Sequence, residues 1–324
     1  MHLTELLAHK RILILDGAMG TELQRQGVVL EPPLWSATAL LRAPHVVRNI
    51  HFAYLHAGAD MITTNTFRTN IRTLERAGME HRWEELNMKA MQLALEARER
   101  YIPSRPVLIA GGLAPVEDCY RPDLVPDDAQ LLEEHTKQAE LLSMLRADFL
   151  LVETMMTERE AVIATHAAAS TGKDVATSFT CGADGKLLSG EDVVAAARSV
   201  LDAGAVAVMI NCVSTRTMLD PLTRLTSSLD APVGCYANVG DPTADNASDL
   251  VCEVDVEGFA LASLGWLAAG ARLIGGCCGS TAEHITALTR LHSPETLTMQ
   301  EKEIDAWNTR DRYTTPTISL GDDE

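Results

Sequence analysis

The sequence predicts one α/β domain of the (β/α)8 TIM-barrel class, and three observations predict it. Eight short apolar runs alternate with eight longer amphipathic ones. Each apolar run is hydrophobic at consecutive positions, as in a parallel strand buried on both faces. Glycines that end helices punctuate the pattern, and Ala-Gly-Ala recurs at residues 57–59, 203–205 and 269–271. An open doubly wound sheet is the runner-up. The first turn, Asp16-Gly-Ala-Met-Gly20, lacks the Gly-x-Gly-x-x-Gly of that fold.

The elements follow in order. Residues 12–15 form the first run, which stops at Asp16. A helix over 45–57 ends at Gly58, and the second run, 61–64, stops at Asn65. The helix expected over 82–101 sets Leu86, Ala90, Leu93 and Ala97 at helical spacing before the run 107–110. A helix over 129–146 precedes the run 149–152, which Glu153 closes. Helices over 158–169 and 191–203, ended near Gly172 and Gly204, lead to runs 175–179 and 206–210. The latter runs into Asn211 and Cys212. Helices over 217–229 and 259–269, the second ended at Gly270, precede runs 233–236 and 273–274, and a helix over 282–291 completes the count.

Residues 1–292 are therefore expected to form the barrel. Residues 293–324 are polar and Thr-rich, and are expected to be a tail, or an arm using Trp307 and Tyr313 on a second subunit. A homo-oligomer would be unsurprising.

The 324 residues carry 45 Asp and Glu against 27 Lys and Arg, a formal net charge of −18. That balance argues against nucleic acid as a partner, since phosphate binding needs a basic face. It argues equally against an anionic membrane surface. No run approaches the ~20 apolar residues of a membrane span, and residues 1–20 lack a signal-peptide core, so a cytoplasmic protein is expected. Seven cysteines, an odd number, make a disulfide framework a poor explanation.

In a barrel, chemistry collects at the C-terminal ends of the strands. Those ends here carry Asp16, Asn65, Glu153, Cys212, Asn238 and the pair Cys277-Cys278. Strands six and eight are two apart around the ring, so the sulfurs of Cys212, Cys277 and Cys278 can converge. Three thiolates with an open fourth position suit zinc. Cys119, Cys181, Cys235 and Cys252 read as small buried hydrophobes. Asp16 and Glu153 could serve as general acid and base, bind an ammonium, or merely cap the following helices. The histidines offer no metal motif, and His45, His51 and His56 read as solvated or surface-packed on one helix.

Seven segments carry a resemblance. They are Leu15-Asp-Gly-Ala-Met-Gly-Thr-Glu-Leu23, Leu34-Trp-Ser-Ala37, Ala57-Gly-Ala-Asp60, Thr64-Asn-Thr-Phe67, Val152-Glu-Thr154, Asn211-Cys212 and Gly275-Gly-Cys-Cys-Gly279. The sequence resembles the homocysteine S-methyltransferase family of zinc-dependent thiol methyltransferases over nearly the whole barrel. The resemblance implies zinc on Cys212, Cys277 and Cys278, and methyl transfer to homocysteine. It implies that Asp16 and Glu153 hold the amino group of homocysteine, and that backbone amides of Gly17, Ala18 and Met19 hold its carboxylate. Asn238 matches an Asn that can supply an oxygen to zinc when substrate is absent.

The expected partners are thus homocysteine and a small methyl donor. S-methylmethionine, S-adenosylmethionine and a betaine are the candidates, and the opening stretch looks most like the S-methylmethionine-using branch. Betaine recognition calls for an aromatic cage. Trp35 is available, but Arg68 and Thr154 stand where betaine methyltransferases look aromatic. The loop from Gly111-Gly-Leu-Ala-Pro115 to Tyr120-Arg-Pro-Asp123 departs from the family pattern and is expected to shape the donor pocket. Selenocysteine as acceptor, a corrinoid donor in trans, and a non-catalytic zinc- or thiol-binding barrel are the alternatives.

Overall fold

A computed structural model describes residues 2–10, 12–101, 105–240 and 254–291. Cys252 and the expected tail, 293–324, lie outside the described residues.

The eight expected strands are all present: β1 (Leu13–Ile14), β2 (Met61–Thr63), β3 (Leu108–Leu113), β4 (Phe149–Met155), β5 (Val175–Phe179), β6 (Ala207–Ser214), β7 (Val233–Asn238) and β8 (Leu273–Gly276). All neighbours pair parallel in the order β1-β8-β7-β6-β5-β4-β3-β2. The ring is nearly closed. Between β1 and β2, the Asp60 N–H donates to the Ile14 carbonyl at 2.7 Å, and the Thr63 N–H donates to Asp16 Oδ2 at 2.8 Å. One junction of the barrel is therefore carried partly by a carboxylate.

Side-chain alternation along each strand builds two cores. Leu13, Leu15, Phe149, Leu151, Met209 and Leu273 fill the barrel interior, while Ile14, Leu150, Val152, Val208 and Ile274 pack outward against the helices. The interior has a floor. The short helix Leu3–His9, which sequence periodicity is too brief to show, inserts Leu3, Leu6 and Leu7 into the same cluster. Thr4 holds it to Asp174, and Arg272 donates to the carbonyls of Leu7 and Lys10.

The eight expected helices also appear, from Pro44–Ala57 to Ala282–Arg290. Gly58, Gly172, Gly204 and Gly270 take positive φ at or just beyond helix ends, as their role requires. Three further short helices, Gly20–Arg25, Thr38–Arg42 and Ile71–Arg76, lie in the loops after β1 and β2. One expectation is corrected. His51 is not on a solvated face but is fully buried in Pro44–Ala57, with neither ring nitrogen partnered, because that helix lies between the barrel and its neighbours.

The strands also differ in length from expectation. β4 and β6 run past Glu153 and Cys212, and both contain a register break, between Val152 and Met155 and between Asn211 and Ser214. Thr154 and Cys212, inside those breaks, have φ of 61° and 54°. Regular alternation in β6 would turn Cys212 toward the helices, since Ile210 faces outward. The left-handed residue re-aims it toward the rim.

Candidate functional site

The C-terminal rim of the barrel surrounds a cavity of about 460 Å³. Its lining includes Asp16, Gly17, Ala18, Met19, Trp35, Asn65, Glu153, Cys212, Cys277 and Cys278, so the structure gathers these sequence-selected residues into one place. Asn238 stands behind them. It is fully buried at the end of β7, and its Oδ1 accepts the Cys278 N–H at 2.9 Å.

The three sulfurs lie within 4.8 Å of one another, and Cys212 and Cys277 are 3.0 Å apart. A tetrahedral zinc, with bonds of about 2.3 Å, needs sulfurs roughly 3.8 Å apart. Small side-chain rotations supply that spacing. The donor set fits zinc: three soft thiol ligands, a cavity beside them for a fourth, and the buried amide of Asn238 bonded to the backbone of one ligand. Hydrogen bonds from Cys212 and Cys277 hold the Cys278 thiol well below its usual range, while the proton of Cys212 is correspondingly harder to lose. Cys181 and Cys235 are buried in the outer core, as their hydrophobic role predicts. Cys119 is also buried, yet it lines the cavity.

Asp16 and Glu153 face the same cavity. Neither caps a helix. Thr157 caps Glu158–Ala169, and the helix Gly20–Arg25 has no side-chain cap. Burial pushes the Asp16 carboxyl up to about 7, against the lowering effect of two hydrogen bonds from Thr63. Burial first, then the charge of a Cys277 thiolate and of Asp16, pushes Glu153 well above the carboxylate range. Among the described residues, no cation offsets the burial of either group. Two buried carboxyls without a cationic partner have the chemistry to receive a ligand's positive charge. Gly112 makes room for one of them, because a Cβ there would lie 2.8 Å from Glu153 Oε1.

Of the three backbone amides expected to hold a carboxylate, that of Ala18 is engaged. It donates to Ser280 Oγ at 3.1 Å. The buried Tyr54 hydroxyl fixes the same turn by donating to the Ala18 carbonyl at 2.7 Å. The half-buried Gly17 and Met19 flank it on the cavity wall.

Part of the lining is aromatic. Trp35 meets Phe67 edge to face at 6.2 Å, and Arg68 lies over the Phe67 ring at 5.1 Å. Asn65 secures the Trp35 turn by donating to the Ser36 carbonyl at 3.0 Å. Gly20 lets the indole lie close, since a Cβ there would be 2.5 Å from its ring. Asp118, Cys119 and Tyr120 complete this wall from the loop after β3. Arg68 donates to the Glu117 carbonyl of that loop, while Arg72 and Arg76 grip the Glu117 carboxylate. The departure at Gly111–Asp123 was the sequence signal for this wall, although it did not single out Asp118 or Cys119.

The geometry agrees with known proteins. Residues 13–291 match the family model described as homocysteine S-methyltransferase. "Homocysteine S-methyltransferase 3" of Zea mays is 30% identical over 301 residues, covering 86% of this chain and 89% of its own. A selenocysteine Se-methyltransferase of Brassica oleracea var. italica is 28% identical, covering 85% and 87%. The crystal structure of the homocysteine methyltransferase MmuM from Escherichia coli, in its metallated form, superposes with a TM-score of 0.78. It is 28% identical and covers 89% of this chain and 99% of that one. With that match across the barrel, the chain belongs to the homocysteine S-methyltransferase family and is a methyltransferase.

Proposed function

We propose that this protein transfers a methyl group from a small onium donor, S-methylmethionine or S-adenosylmethionine, to the thiol of L-homocysteine, giving methionine, with zinc as cofactor. The observation that carries the reading is the convergence of three cysteine sulfurs and two buried carboxyls without a cation on one cavity. A ligand bearing both a thiol and an ammonium matches that arrangement. The metallated relative supports the choice of a metal.

Cys212, Cys277 and Cys278 would hold zinc, which would keep a substrate thiol ionised and nucleophilic near neutral pH. Asn238 holds the Cys278 backbone through its Oδ1, and the same oxygen would serve the metal when substrate is absent. Asp16 and Glu153 bind the homocysteine ammonium, which supplies the positive charge their burial leaves them without. The amides of Gly17 and Met19 receive the carboxylate, and Ala18 shapes their turn. Trp35, Phe67 and Asn65 position the donor, so that its methyl carbon lies in line between the two sulfurs. The thiolate pair forms the new carbon–sulfur bond. The old bond breaks toward the onium sulfur, which leaves as a neutral thioether. Opposite charges cancel, so a dry rim favours the transfer. Arg68 and Thr154 stand where betaine methyltransferases look aromatic, which disfavours betaine as the donor.

Metal content and turnover measured together test the proposal. About one zinc per chain, with methionine formed from a sulfonium donor and homocysteine, is expected. No bound zinc, with Cys277→Ser as active as the parent, would overturn the mechanism. Methionine from betaine alone would overturn the donor, and preference for selenocysteine would overturn the acceptor. The free state of the six described cysteines favours a reducing compartment, and we place the protein in the cytoplasm.

A further inference from the structure

Asn211 takes no part in the chemistry above, yet it is fully buried between its two halves. Its Oδ1 accepts the Thr154 N–H at 3.1 Å and the Ser178 hydroxyl at 2.6 Å. Its Nδ2 donates to Thr154 Oγ1 at 2.7 Å. One carboxamide on β6 thus crosses β5 and grips β4. The residues it joins are two of the strained positions of the rim, Trp35 being another. Thr154 and Cys212 both sit at positive φ without being glycine, each inside a register break. Such backbone persists only when its surroundings hold it. Asn211 holds Thr154 by both backbone and side chain, and is covalently joined to Cys212. Glu153 precedes the first of this pair, and Cys212 is the second.

We infer that Asn211 is a positioning residue that locks the β4 break to the β6 break, and so fixes the Glu153 carboxyl relative to the Cys212 sulfur. It is fully buried and is not among the residues that line the cavity. A carboxamide suits the task because one atom accepts twice while the other donates. The inference rests on the proposed roles of Glu153 and Cys212.

The test compares the parent, Asn211→Ala, Thr154→Val and Thr154→Ser. The readouts are KM for homocysteine, kcat, the thermal midpoint, and zinc affinity by competition with a chromophoric chelator. Asn211→Ala is expected to raise KM for homocysteine at least tenfold and weaken zinc binding at least tenfold. Thr154→Val, which loses only the hydroxyl, should raise KM about threefold with little change in midpoint. Thr154→Ser, which keeps it, should match the parent. A folded Asn211→Ala with parental KM and zinc affinity, or one that loses only thermal stability, overturns the inference. If Asn211→Ala does not fold, parental KM and zinc affinity in Thr154→Val overturn it instead. If the parent itself methylates no homocysteine, the proposed function fails, while the zinc comparison still decides whether the brace holds Cys212.

Discussion

Single residues at the rim have separable jobs. Gly112→Ala places a methyl against Glu153 and should raise KM for homocysteine about tenfold, roughly 1.4 kcal/mol, with kcat less affected. Steady-state kinetics against homocysteine checks it, and an unchanged KM would remove Glu153 from ammonium binding. Cys277→Ser should lose stoichiometric zinc and at least a hundredfold in kcat/KM, as read by metal analysis and by methionine formation. The rim is largely legible in the sequence. A charge or a thiol at the end of a strand buried on both faces stands out against its neighbours, which is why Asp16, Glu153, Cys212 and Cys277 can be selected there. Asn211 stands out only as part of the Asn211-Cys212 segment, and its bracing role is hidden until the strand is seen to continue through it. Cys119 is hidden for the opposite reason, since its burial is that of an ordinary packing residue.

At the scale of elements, length decides what can be read. The eight strands and eight long helices are legible because each repeats its period or ends on a glycine. Leu3–His9, Gly20–Arg25, Thr38–Arg42 and Ile71–Arg76 have seven, six, five and six residues, which is under two turns. No period can show itself over so little chain. The first of them is nonetheless structural. Leu3→Ala removes a fully buried floor residue and should destabilise the barrel by about 2–5 kcal/mol. The floor lies at the end opposite the cysteines, so kcat per folded molecule should be unchanged. Thermal unfolding alongside activity checks both halves of the expectation.

For the whole molecule, the buried His51 sets an acid limit. Burial alone pushes its ring down to about 4, from an ordinary value of 6.5. Above pH 6.5 the ring is neutral in folded and unfolded chains, and it adds no pH dependence. Between 6.5 and 4 the unfolded chain takes up the proton more readily, so stability falls as pH falls. The difference amounts to about 3 kcal/mol by pH 4. Denaturant unfolding at several pH values should show that slope, and His51→Leu should flatten it. A slope unaltered by His51→Leu would assign the acid sensitivity elsewhere.

The barrel's incomplete seam has a consequence of a different kind. Asp16 is at once the clasp that secures Thr63 across β1 and β2 and the proposed anion for the incoming amine. Fold and recognition therefore share one functional group, and a truncation there cannot distinguish a loosened ring from a lost charge. Asparagine can. Asp16→Asn keeps an oxygen for the Thr63 amide while discarding the charge, so the hydrogen exchange of that amide should stay slow even as homocysteine affinity collapses. Asp16→Ala should lose both together. A carboxylate doing double duty in this way leaves the position little room to drift, because a replacement must satisfy a structural hydrogen bond and a ligand's charge with the same two oxygens.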